Sequence, residues 1–323
     1  MSIQQRNIYS IELFGFYVLF LLRIQSAKNN TNKQRHTEMQ KILILLIPYI
    51  YIINFFLYLK YLFFAKSKIK RKIKKNKSLK NAYRGQECFI FGNGPSLKKV
   101  DFSLFSDKIV FTVNMLYKDP RFSQLKSNFH VYSDGLFFCD SIAGEMGRDI
   151  HKYLIEKNIK VFFPAFVSDF VIKNDLFDHC YIYNPTYLFN NYFPGKIRLD
   201  SCVTDYNTVV FQCIQIAFYM GFDTIYLLGC DCTGIESVIA QKYNVENNSY
   251  SYNIDSTAKK MINQTLEERN MLQHFQGWAN IFRQYYAFAN YAGKHGKKIY
   301  NLTNPTILDY IERKTINEVL NKQ

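Results

Sequence analysis

The seven cysteines of this chain form no CxxC pair and no repeated ligand spacing. Several lie inside apolar runs, where a free thiol behaves as a small hydrophobe, and the pattern points to a reduced, cytosolic compartment. Cys230-Asp231-Cys232 has no second pair to complete a metal site. Acidic residues are absent from Lys60 to Arg84, a stretch holding nine lysines and two arginines. Much of the formal net charge of +15 is therefore local. Nucleic-acid binding needs basic residues spread over a folded face, so that class is set aside; a basic run directly after an apolar one points to an anionic membrane surface. There is a single tryptophan, against 25 tyrosines and 29 phenylalanines. No internal repeat is present, and no low-complexity segment beyond the lysine run.

The 323 residues suffice for one large α/β domain or two small ones. Ile42–Leu59 carries no charge, and apolar character resumes after Lys60 through Ala65. That length fits a membrane-spanning helix or a long interfacial one, with a buried helix of a soluble domain as the alternative. Tyr49, Tyr51, Tyr58 and Tyr61 suit the headgroup level, and Pro48 would kink the helix. The basic segment that follows places everything after it on the cytoplasmic side. A cleaved signal peptide is not expected, and the shorter run Ile11–Leu22 reads as a second interfacial helix or as a consequence of start-site choice, Met39 being an equally suitable start. The expected organisation is a membrane-associated segment over 1–65, a polybasic linker over 66–84 and a catalytic domain over 85–323.

From residue 85 onward, short runs rich in Val, Ile, Phe and Tyr alternate with helical patterns. Strands are expected at Glu87–Phe91, Lys108–Val113, Asn128–Ser133, Lys160–Phe163, Cys180–Tyr183, Thr224–Leu228 and Lys298–Tyr300. Thr208–Met220 reads as an apolar helix capped by Gly221, and Ala279–Ala292 as another, ending at Gly293. The polar stretch 234–270 reads as a lid or an insertion. The fold class is α/β: a Rossmann-like open, mostly parallel sheet with helices on both faces, preceded by an N-terminal membrane helix.

The most informative stretch is Phe91-Gly92-Asn93-Gly94-Pro95-Ser96-Leu97, an apolar strand breaking into a glycine turn and a helix start. The free N–H groups of such a turn suit a phosphate or another anion. It lacks the third glycine of the dinucleotide fingerprint and the Lys-Ser/Thr of the P-loop, which excludes both motifs. Ligands of open parallel sheets gather at the carboxyl ends of strands, which groups Gly92–Ser96, Asn114, Ser133–Asp134 and Gly229–Thr233 around one crevice.

These residues resemble the bacterial lipooligosaccharide sialyltransferases (glycosyltransferase family 42) and a broader set of surface-polysaccharide proteins with the same Gly-Asn-Gly-Pro-Ser-Leu opening. A cousin group with a similar opening is 6-hydroxymethylpterin diphosphokinase-like. The resemblance covers roughly residues 86–312. It rests on Gly92–Leu97, Asn114, Tyr132-Ser133, Gly221–Asp231 and His274-Phe275-Gln276-Gly277-Trp278. It implies donor contacts from Gly92, Asn93, Gly94, Ser96, Asn114, Ser133, Thr208, Asp231 and Thr233. Where the family carries its general-base histidine this chain has Trp278, and Tyr206 replaces an arginine, so His274 is the expected catalytic base. The remaining histidines at 130, 151, 179 and 295 are expected to be surface or structural.

The implied activity is transfer of a sugar from a CMP-activated donor to a surface glycolipid or polysaccharide, with no cofactor required and the catalytic domain on the cytoplasmic face of the inner membrane. The rivals are an ATP- and Mg²⁺-dependent diphosphokinase-like enzyme and an inactive membrane-bound scaffold. Asp231 reads as a helix cap or turn, or, under the first rival, as a carboxylate for Mg²⁺.

Overall fold

A computed structural model describes residues 49–139, 143–188, 197–243 and 269–320. The chain divides into two units, 1–56 and 57–323. In the first, the described residues 49–56 are helical. Residues 42–48 of the apolar run, and the run 11–22, lie outside the described residues. Among the described residues no single helix is long and apolar enough to cross a membrane; Tyr49–Phe64 and Ser67–Leu79 pass together, bent by 117°.

The second unit is built on a seven-stranded parallel sheet. Its strands are β1 (Glu87–Phe91), β2 (Val110–Val113), β3 (Phe129–Val131), β4 (Lys160–Pro164), β5 (Cys180–Tyr183), β8 (Thr224–Leu228) and β9 (Lys298–Asn301), in the order β5-β4-β3-β2-β1-β8-β9. A small parallel pair, β6 (Pro185–Tyr187) and β7 (Val203–Thr204), lies between β5 and β8 in sequence. The strands steps outward from β1 to β5, and the chain then returns to lay β8 on the other side of β1. The reversal point of the topology therefore falls between β1 and β8, and ligands of open α/β sheets gather at such a point beyond the carboxyl ends of the strands.

The interior strands are buried on both faces, which explains their unbroken apolar runs. One face packs on the wholly buried helix Val209–Met220 and on part of Met271–Lys294. Val209–Met220 ends at Gly221, whose φ of +95° closes the helix in the left-handed conformation. The other face carries short helical turns with Phe102, Phe105 and Phe138. The expected strands appear at the expected places, two of them shorter. The long helix starts eight residues earlier than the apolar pattern suggests, because Asn270 and Gln273 form a reciprocal capping box, and it runs through Gly293. The turn after Gly94 continues as the 3₁₀ segment Pro95–Lys99 rather than as an α-helix. Residues 234–242 of the expected lid form the helix Gly234–Lys242, and 244–268 lie outside the described residues.

The basic segment expected as a linker is folded into the domain. Helix Ser67–Lys75 buries Ile69 and Ile73 in the core, and the Lys68 and Lys72 ammonium groups lie 4.4 and 5.0 Å from the Phe177 ring centroid. Asn76 follows, and its amide donates to the carbonyls of Ile182 on β5 and Leu199, at 2.8 and 2.9 Å. A buried isoleucine truncated to alanine costs about 2–5 kcal/mol, so Ile73→Ala should lower the denaturant midpoint of the whole domain by that order. An unchanged midpoint would mean that the segment is a tether after all.

Candidate active site

The crevice is organised by one carboxylate. Asp231, three residues past β8, accepts from the Ser96 N–H at 2.9 Å and from the Ser96 hydroxyl at 2.8 Å. The Gly92 and Gly94 N–H groups donate to the carbonyls of Leu228 and Gly229, at 2.8 and 2.9 Å. Side chains are excluded here: a Cβ on Gly94 would collide with the Asp231 carboxylate, and one on Gly92 with the Gly229 carbonyl. The glycine turn is thus locked onto the exit of β8.

This lock corrects one expectation. The Gly92, Gly94 and Ser96 amides are taken by protein oxygens, so they do not form an anion-binding nest. Ser96 and Asp231 bond one another, so this carboxylate holds the backbone of the β1 turn. Burial raises the Asp231 carboxyl above its ordinary range, against the lowering effect of its bonds to Ser96. Thr233 sits at the start of Gly234–Lys242, where its carbonyl accepts from the Glu236 N–H at 2.9 Å.

Three other expected residues behave differently. The side-chain oxygens of Asn93, Asn114 and Thr208 are buried with no hydrogen-bond partner among the described residues. Asn93 lies in the β1 turn, Asn114 directly after β2, and Thr208 at the N-cap of the helix that packs on β1, β2 and β3. Thr208 makes no side-chain cap. Buried polar atoms are rarely left unpaired; others among the described residues are on Asn76, Tyr219 and Asn301, and the three on Asn93, Asn114 and Thr208 are candidate ligand contacts because they lie at the carboxyl end of one sheet. Ser133 is half-buried, two residues past β3, and completes that side.

The sequence reading passed over several groups in this wall. The Tyr183 hydroxyl donates to the Tyr132 carbonyl at 2.6 Å, tying β5 to the exit of β3. Asp205 follows β7, its N–H held by the Tyr187 carbonyl at 2.8 Å. Solvent reaches the Asp205 side chain, yet protein surrounds it closely enough to withdraw water and push its carboxyl up to about 7. The Gln284 side-chain oxygen accepts from the Asn207 N–H at 3.1 Å and its amide donates to the Asn207 side chain, which clamps the long helix to the loop before Thr208.

His274 lies in the first turn of Met271–Lys294 and is only 5% exposed. Trp278, one turn further on, is used for packing: a Cβ on Gly234 would meet its ring at 2.6 Å. Residues four apart share a helix face, so His274 lies on the face turned toward the segment leaving β8.

His130 is buried, as a structural histidine, and its ring bridges Thr112 Oγ1 and the Asn114 carbonyl, both at 2.8 Å. His151 and His295 likewise bond backbone carbonyls, of Asn174 and Tyr291.

An open α/β sheet with a crevice at its reversal point defines a Rossmann-like domain. The chain belongs to the MptE-like family, described as 6-hydroxymethylpterin diphosphokinase MptE-like, whose model matches residues 65–236. No curated protein matches the chain. Among solved structures it is similar to the Campylobacter jejuni sialyltransferase CstII in complex with cytidine-5'-monophosphate, at 18% identity over 71% of this chain and 85% of that one, with a TM-score of 0.43. It is also similar to the monofunctional alpha-2,3-sialyltransferase Cst-I of the same organism, at 19% identity over 74% and 82%, with a TM-score of 0.44. Likeness at this level speaks to neither substrate nor activity.

Burial lowers the His130 pKa to about 3, far below the ordinary value near 6.5. The unfolded chain therefore takes up a proton below about pH 6.5 that the folded chain refuses. Stability conferred by the neutral ring is present above that pH and falls as pH drops toward 3, by at most about 1.4 kcal/mol per unit. Denaturation midpoints measured from pH 7.5 to 5 should show this loss, and His130→Gln should flatten the slope. Equal slopes would mean that His130 is not the titrating group.

Proposed function

We propose that the chain is a membrane-associated glycosyltransferase, sialyltransferase-like, that binds a CMP-activated sugar in the crevice above β1, β2 and β8. The acceptor is a surface glycolipid or polysaccharide, and the catalytic domain works at the cytoplasmic face of the inner membrane. The observation that supports this reading is the set of unpartnered oxygens on Asn93, Asn114 and Thr208. Amide and hydroxyl oxygens are neutral acceptors. The two amide oxygens match the exocyclic amine and ribose hydroxyls of a nucleoside, or the hydroxyls of a sugar, and the Thr208 hydroxyl can accept from these groups or donate to a phosphate oxygen.

In the transfer step the acceptor hydroxyl attacks the anomeric carbon while the bond from that carbon to the CMP phosphate oxygen breaks. CMP departs with the electron pair, and His274 takes the proton of the attacking hydroxyl. Trp278 serves as packing, which leaves His274 as the imidazole of this segment.

The family description favours a second reading, an ATP- and Mg²⁺-dependent diphosphokinase. The carboxylate expected to serve Mg²⁺ in that reading, Asp231, is bonded to Ser96. A scaffold without turnover is the third outcome.

Thermal-shift titration of the full chain with CMP, CDP, UDP, GDP and ATP, each with and without Mg²⁺, separates the readings. A ligand at a hundred times its dissociation constant adds about 2.7 kcal/mol of stability. CMP is expected to stabilise without metal, Asn93→Ala to weaken it roughly tenfold, and His274→Ala to keep CMP affinity while losing about 10²–10⁴ in turnover. Stabilisation by ATP with Mg²⁺ alone identifies the diphosphokinase, and no response identifies the scaffold.

Membrane association draws on a second observation. Phe63 and Phe64 are 76% and 81% exposed, directly before a helix whose Lys68, Arg71, Lys74 and Lys75 face solvent. Aromatic side chains beside cations suit an anionic bilayer surface. The chain should co-sediment with phosphatidylglycerol vesicles at low salt. Each of Arg71→Gln, Lys74→Gln and Lys75→Gln should weaken this by about 1 kcal/mol, roughly fivefold. Equal binding to neutral vesicles would remove the electrostatic part of the proposal.

A further inference from the structure

Among Asn93, Asn114 and Thr208, Asn114 is the one whose backbone is in the left-handed region, with φ of 48°. Asparagine tolerates this conformation better than most residues, but it still needs support from its surroundings. On one side, its N–H continues the ladder by donating to the Val131 carbonyl at 3.1 Å. On the other, its carbonyl is met by His130 Nε2 at 2.8 Å. A carbonyl only accepts, so Nε2 carries the proton.

The ring's second nitrogen is equally fixed. Thr112 is the register partner of His130 across β2 and β3. With Nε2 protonated and the ring neutral, Nδ1 accepts from the Thr112 hydroxyl at 2.8 Å. Having given its proton to the ring, Thr112 Oγ1 accepts from the Ser127 hydroxyl at 2.9 Å. Aromatic rings crowd the imidazole, with Tyr132 at 4.7 Å and Tyr117 at 6.0 Å between centroids. The ring has one place to be and one tautomer. That chain of bonds begins in the loop before β3 and ends on the one crevice residue that combines a left-handed backbone with an unpartnered side-chain oxygen.

We propose that His130 is a positioning residue: through the Asn114 carbonyl it holds Asn114 in the left-handed conformation that leaves its side-chain oxygen buried and available to a ligand. In its consequence for binding, the inference rests on the nucleotide reading of the crevice. His130 does not touch the ligand; it acts through Asn114.

A double-mutant cycle with CMP as the probe tests this. Asn114→Gly removes the amide but accepts a positive φ, and His130→Phe keeps a ring but removes both bonds. Each single change should weaken CMP binding, measured by calorimetry, roughly tenfold, the size of one well-placed hydrogen bond. If His130 acts through Asn114, His130→Phe should add less than about twofold in the Asn114→Gly background. Losses that multiply, or no loss from His130→Phe, overturn the proposal. Thr112→Val, which leaves the imidazole in place but releases its Nδ1, serves if His130→Phe does not fold. If the wild-type chain binds none of the nucleotides, the crevice reading fails and positioning is decided on the backbone alone. Crystal structures of His130→Phe and Thr112→Val should then show Asn114 leaving the left-handed region, and an unchanged φ in both overturns the proposal.

Discussion

The contact on which the crevice depends is the pair of hydrogen bonds from Ser96 to the Asp231 carboxylate. It joins the ends of two strands far apart in sequence and adjacent in the sheet. The glycines beside it are required by the same closeness, since the β1 turn passes over the β8 exit with no room for a Cβ. Gly229, at φ of +64°, bends β8 beneath Leu97 so that the carboxylate can arrive. Removing the carboxylate would leave a buried amide and a hydroxyl without partners, which costs more than the bonds themselves contribute. The residues that look most like ligand contacts by motif are therefore those that build the frame.

With the frame fixed, the atoms left without partners acquire meaning. Asn93 lies inside the locked turn. Asn114 is held from behind by His130, and Thr208 is held by a loop that Gln284 clamps to the long helix. Three separate devices converge on three unpaired oxygens. An unpaired buried polar atom costs on the order of 1–3 kcal/mol, which is why these three positions are the ones to test with a ligand.

Much of the fold is legible in the sequence because its signals are local. The strands β1, β5 and β8 are bounded by turn residues and filled with branched and aromatic side chains. The helix Val209–Met220 ends on a glycine that its chain geometry demands. What escapes is non-local. Nothing near His130 marks it as the partner of a carbonyl at the end of the neighbouring strand, and nothing near Gln284 marks it as the clamp on Asn207. Asp231 reads as a cap, but the segment it caps lies 135 residues away. The start of the long helix was legible in Asn270 and Gln273, which lie outside the apolar periodicity used to find it.

The distribution of charge follows from the same topology. The basic helix Ser67–Lys75 packs against β5, the edge strand, while the crevice opens between β1 and β8 near the middle of the sheet. Asn76 donates to the Ile182 carbonyl, an edge group that no neighbouring strand can serve. The helix therefore has two faces with two uses. Its isoleucines and the asparagine after it close an edge that would otherwise invite pairing with another chain. Its cations, kept out of the core by that packing, are left on a surface three strands from β1. They cannot serve as a phosphate cradle for the crevice from there. Their place in the fold, rigid and beside exposed Phe63 and Phe64, makes them part of an outer surface of the domain, so that whatever the basic segment engages is engaged by the folded domain itself and not by a loose tail.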